Sequence, residues 1–149
     1  MSAKGSTIIV IGTIKQVEPA RWTTADGRRP ANPQAARHVI FRPVTLEVER
    51  YLKGQLPQQQ LRVFAWGGSI GKDRFEQYPD YLYTFRVGER VVLFLHLYDP
   101  TGIEAGLQGV QFWGPVEHYT ITTDNQAVNF YRTVPLQQLL DEITMTLGK

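Results

Sequence analysis

The chain has 149 residues, with 42% hydrophobic and 20% charged residues and a net charge of +2; this is the profile of one folded domain, not of a disordered or fibrous chain. It contains no cysteine, which excludes disulfides, thiolate zinc sites and cysteine nucleophiles. The longest apolar runs, residues 8–11 and 91–95, are far too short for a membrane-spanning helix.

In chain order, no charged region followed by an apolar stretch opens the sequence, so no export leader is expected within it. Residues 7–17 (TIIVIGTIKQV) are rich in β-branched side chains and predict a strand, with Gly12 marking a bulge or bend of the kind that curls a sheet. From residue 18 to 37 periodicity is lost. Pro19, Asp26-Gly27, Pro30 and Pro33 stand among arginines, which predicts a long mobile loop, with Trp22 pinning its start, over the competing hairpin turning at Asp26-Gly27. Residues 38–52 return to a strand: Val44, Leu46 and Val48 alternate with Thr45, Glu47 and Glu49, so one face is apolar and one wet. Pro43 cannot donate to a ladder and predicts a bulge or an open edge there.

Residues 60–66 (QLRVFAW) predict a third strand, with Leu61, Val63 and Ala65 on one face and Arg62, Phe64 and Trp66 on the other. A glycine-rich loop follows at 67–72, then a turn at 87–90. Residues 90–98 contain VVLFLHLY, apolar on both faces and therefore a covered central strand. A turn at 99–102 leads to short strands at 111–113, 119–122 and 128–131, the last two hinged at Asp124-Asn125. Leu136, Leu139, Leu140, Ile143 and Leu147 recur at helical spacing, so residues 134–147 predict an amphipathic helix, capped by Thr133 with Pro135 in its first turn. The fold class is therefore mostly β in a single domain covering 1–149: a small antiparallel barrel with a C-terminal α-helix that plugs an open end or packs on the sheet.

The chemical motifs are sparse. His38, His96 and His118 show no metal-ligand spacing. Gly71-Lys72 lacks the glycine five residues upstream and the Ser or Thr after lysine that a phosphate loop needs. Ser69 is not in a nucleophile elbow, and Glu47 and Glu49 lie on a wet strand face, where charge keeps a sheet soluble. No catalytic residue, cofactor or metal is expected. Charge is uneven: Arg21, Arg28, Arg29, Arg37 and Arg42 stand against Asp26 alone between residues 21 and 42, which leaves that stretch at +4; this is more often a solvated loop than a surface for phosphate or an acidic partner.

Three segments together, IVIGTI with Val17-Glu18-Pro19, VTLEVERYLKG at 44–54 and FRVGERVVLFL at 85–95, resemble uncharacterised bacterial domains related to the netrin and tissue-inhibitor-of-metalloproteinase modules. The resemblance covers residues 7–97. It implies a five-stranded barrel of the oligonucleotide/oligosaccharide-binding type, exported from the cytoplasm and used for interaction. The inhibitors of that family act through an N-terminal cysteine, which this sequence lacks, so no functional residue carries over.

The expected function is a non-catalytic barrel module that contacts a macromolecule, a protein in preference to a nucleic acid, through Trp22, Arg28, Arg29, Arg37, Arg62, Phe64 and Trp66. The alternative is single-stranded nucleic-acid binding, with Phe64 and Trp66 stacking bases and the arginines tracking phosphates.

Overall fold

Alternation along the long strands sends one set of apolar side chains to a common interior and a second set to a face that other elements cover. The computed structural model describes residues 5–24, 26–32, 38–75, 82–98 and 111–148. In chain order these form β1 (Ile8–Val17), β2 (Arg21–Trp22), β3 (Ile40–Lys53), β4 (Gln60–Trp66), β5 (Gly68–Ile70), β6 (Asp73–Phe75), β7 (Arg90–Tyr98), β8 (Phe112–Ile121), β9 (Gln126–Val128), β10 (Thr133–Pro135) and the helix α1 (Leu136–Leu147). The order β8-β4-β3-β1-β7 returns to β8, so five strands close into a barrel. Every contact around it is antiparallel except β4 with β8, a parallel contact at Val63 and Trp113.

The barrel interior holds Val10, Ile14, Val44, Leu46, Val63, Leu93 and Leu95, all fully buried. Full burial of each such side chain contributes about 1.5–3 kcal/mol relative to exposure. Residues 82–89 close the end where β1 finishes and β7 starts. There Phe85 joins the interior and stacks on His118, ring centroids 4.7 Å apart, and Gly88 turns the chain at φ 91°.

The helix does not plug an end. It lies on the outside of β1, β7 and β8, where Leu139 and Ile143 cover Ile9, Ile11, Val92, Phe94 and Tyr119. This second cover explains why 91–95 is apolar on both faces. The hairpin of β9 and β10 is clamped to the helix by Arg132, whose Nη2 donates to Glu142 Oε2 (2.6 Å) and whose Nε donates to the Tyr119 hydroxyl (3.1 Å). Hydrogen bonds from Arg132 hold the Glu142 carboxyl below its ordinary value.

Several sequence expectations need correction. Thr133 does not cap the helix, because 133–135 is extended and paired with β9; Pro135 occupies the cap position and no side chain bonds the first turn. The strands expected at 111–113 and 119–122 are one strand, β8, because Pro115 sits opposite Leu95 at a bulge that the ladder tolerates. The strand expected at 128–131 stops at Val128, and Phe130 and Tyr131 lie in the following turn. The glycine-rich segment after β4 is not a plain loop but the β5–β6 hairpin, turned by Gly71 at φ 59°. Pro43 falls at the gap between β1, which reaches Val44, and β2, which begins opposite Phe41. Its missing N–H therefore interrupts no ladder. The turn expected at 99–102 lies outside the described residues.

Two outcomes follow. A methyl group on Gly12 would stand 2.3 Å from the Glu47 carbonyl oxygen, so Gly12→Ala should destabilise the chain by about 1–3 kcal/mol, read as a lower urea midpoint. The Glu142 carboxyl titrates lower in the folded chain than its ordinary 4.5, so its stabilisation is present above that value and lost as pH falls through the folded one. Glu142→Gln should accordingly lower stability at pH 7 by up to about 1 kcal/mol, with the gap to the parent closing in acid.

Candidate functional site

Alternation along β4 places Arg62, Phe64 and Trp66 on its outer face, as their spacing predicts. The register adds what spacing alone could not: Pro43 lies opposite Phe64 and Phe41 opposite Trp66, and Phe112 arrives from β8. Phe64 stacks flat on Phe41 with centroids 4.1 Å apart and meets Phe112 edge-on at 5.7 Å. Phe41 and Phe64 are each 0% exposed and Phe112 is 3% exposed. These rings form a third apolar cluster, a small core outside the barrel wall, with no face free to receive a base. Trp66 is half-buried at its margin, 5.0 Å from Phe64 and 6.1 Å from Phe75. Arg62 lies over Phe112, guanidinium carbon to ring centroid 5.3 Å, and its Nη2 donates to Glu18 Oε2 at 2.8 Å.

The arginine-rich loop is braced by its own backbone where it is described. Trp22 pairs with Ile40 through β2, and its N–H donates to the Gly27 carbonyl (3.0 Å). Asp26 accepts from the Arg28 backbone N–H and the Thr24 hydroxyl; the Arg28 bond first and the Thr24 bond second hold its carboxyl below the ordinary value. The Arg28 side chain points to solvent, while Arg29 Nε lies 3.3 Å from Asp73 Oδ1 and ties the loop to β6. Trp22 is only 7% exposed, so it pins the start of this loop as expected. Arg37 lies outside the described residues. The seven residues singled out by sequence thus split: Arg62, Phe64 and Trp66 share one packed cluster, and Trp22, Arg28 and Arg29 belong to the loop.

Sequence reasoning passed over two features. Phe130 and Tyr131 are 71% and 75% exposed and pack edge-to-face at 5.2 Å at the tip of the β9–β10 hairpin. Their position after Val128 reads as a continuing strand, which hides them. Beside them an open groove of about 420 Å³ is lined by Thr84, Arg86, Glu89, His118, Thr120 and Phe130. The second feature is the placement of Arg42, named above only for its charge, on the inward face opposite Ala65. Its parity with Val44 and Leu46 was the available signal, because a cation on an apolar face is conspicuous. Arg42 Nη2 donates to the Tyr83 carbonyl at 3.0 Å.

Among the described residues no group of three or more His, Asp or Glu side chains is arranged to hold a metal, and no helix is long and apolar enough to cross a membrane. His38 bonds Thr23 (3.1 Å), His96 is exposed and His118 is buried against Phe85, so the three histidines do not meet. No protein-family model matches the chain, and comparisons with curated proteins and with solved structures find no match.

If Phe64 is a packing residue and not a docking one, Phe64→Ala should cost about 3–5 kcal/mol of stability. Arg28→Ala, at an exposed side chain, should change stability by less than about 0.5 kcal/mol. Chemical denaturation of the two variants measures both.

Proposed function

We propose that this chain is a non-catalytic barrel of the oligonucleotide/oligosaccharide-binding type that docks a protein partner. The strand order and the single parallel contact closing the barrel support the barrel type. The observation that carries the docking reading is the pair Phe130 and Tyr131. Large aromatic side chains held in water on a braced hairpin are the residues that dominate protein interfaces, where they supply contact area at little entropic cost. Asn129 Oδ1 accepts from the backbone N–H groups of Tyr131 and Arg132, and Arg132 is in turn fixed by Glu142, so the pair is presented on a rigid support. The groove beside Phe130 falls in the size range that receives one side chain or a small molecule.

Single-stranded nucleic acid is the weaker reading. The stacking face it needs on β4 is occupied by Phe41 and Phe112, and two of its arginines are engaged by Glu18 and Asp73.

The test compares the parent chain with the double variant Phe130→Ser/Tyr131→Ser, whose exposed positions leave folding intact. Cross-linking in the cell of origin should recover a protein with the parent chain that is lost with the double variant. In parallel, labelled single-stranded oligonucleotides should not bind. Oligonucleotide affinity that falls steeply with salt, survives the double variant and disappears in Arg62→Gln would sink the docking reading.

A further inference from the structure

Buried donors without acceptors are rare in folded chains, and each asks for an explanation. Two of them share one end of this barrel. Trp22 Nε1 and Arg42 Nε are both shielded from solvent and have no acceptor among the described residues. The strand register brings them together. Trp22 pairs with Ile40 across β2 and β3; Arg42 follows two residues later on the same inward face, opposite Ala65. Diagonal neighbours across an antiparallel pair stand roughly 7–8 Å apart, within reach of an indole and a guanidinium.

The guanidinium is also held in place. Its Nη2 donates to the Tyr83 carbonyl in the segment that closes the barrel end, which leaves the Nε edge unused. Arg42 has no carboxylate partner among the described residues, although Ala65 and Val44 on its flanks belong to the apolar interior. A shielded cation without a counter-charge favours an anion beside it. Among the described residues Asp26 is engaged within its own turn and Glu18 by Arg62.

We propose that Trp22 and Arg42 receive one carboxylate of a protein partner, an inference that rests on the docking reading above and names the chemistry recognised on the opposite flank of residues 82–89. A carboxylate is planar, accepts on two oxygens and carries one negative charge. It therefore satisfies the indole N–H and the guanidinium edge together and balances one arginine. A phosphate brings up to two charges to a site with one cation, and a neutral carbonyl balances none.

The test uses the full chain labelled with ¹⁵N. Its three tryptophans give three indole signals, and the one absent from Trp22→Phe is that of Trp22. Three probes are titrated: sodium acetate, an N-acetylated tripeptide with uncharged side chains and a free C-terminal carboxylate, and an N-acetylated, C-amidated tripeptide whose one acid is a glutamate side chain. The expected result is a saturable shift of the Trp22 indole and Arg42 Nε signals together, with the Trp66 and Trp113 indoles unmoved. Whichever peptide saturates at the lower concentration identifies a chain terminus or an acidic side chain as the source. Arg42→Lys, which keeps the charge and removes the Nε donor, should weaken the response about tenfold or more; the parent titration needs no variant to fold.

Three results would overturn the inference: signals that stay still with every carboxylate probe, signals that answer inorganic phosphate instead, or magnetisation exchange showing the two donors bound to long-lived water that the probes do not displace. If these occur while the Phe130→Ser/Tyr131→Ser variant still loses its protein, the carboxylate receptor falls and the docking reading stands. A carboxylate response in a chain that captures no protein supports the receptor and removes the docking reading.

Discussion

Five strands enclose a filled interior only if they bend sharply, and the structure depends on the few positions that allow it. At Gly12 the backbone of β3 comes so close that no side chain fits, and the ladder shifts register between Ile11 and Gly12. A second shift, between Phe94 and Leu95, lets β7 and β8 curl past one another with Pro115 accommodated. Bulges of this kind increase local twist, and twist is what brings β8 back to β4. Without that return, Val63 and Trp113 would be a sheet edge instead of a seam.

Tight curvature has a second consequence. A wall of β-branched and aromatic residues is apolar on its outside as well, so the barrel needs outer covers. One cover is α1, laid over β1, β7 and β8 and held by Arg132 through both Tyr119 and Glu142. The other is the Phe41, Phe64, Phe112 cluster with Trp66 and Phe75 at its rim. Burial raises the Tyr119 hydroxyl above its ordinary value, so this hydroxyl stays neutral while it accepts from Arg132. Arg62 extends the cation–aromatic packing outward and is neutralised by Glu18. Much of what sequence pattern offered as a binding face is thereby used in holding the wall closed.

The difference between what the sequence revealed and what it concealed follows from range. The bounds of β4 are legible because alternation is local, as is the sharing of one face by Arg62, Phe64 and Trp66, and those of β7 because turn residues bracket an unbroken apolar run. The helix was legible from its apolar spacing, but its first turn was misplaced, since the pairing of 133–135 with β9 is a tertiary event. The cover over Phe64 was not legible, because Phe41 and Phe112 come from distant segments and nothing in QLRVFAW announces them. Strand β2 has two residues, too few for any period, yet its register decides where Trp22 points.

That register bears on which part of the molecule is unfinished. An unsatisfied buried donor costs about 1–3 kcal/mol, and a domain of this size has only about 5–15 kcal/mol in total. The wall and the helix face are closed by packing, while in the outer aromatic cluster Arg62 Nε is likewise shielded without an acceptor among the described residues. At the end near residues 82–89 the accounting differs, for an indole and a guanidinium are held out of water by the same pairing that seals Ile40, and no acceptor among the described residues meets them. On the other flank of that end Phe130 and Tyr131 stand in solvent beside an open groove. Packing forces alone would bury the rings and release the donors. Both departures from that outcome occur around one segment, Phe85 and its neighbours, and an incoming surface that presents an acid to one side and an apolar face to the other would correct both at once.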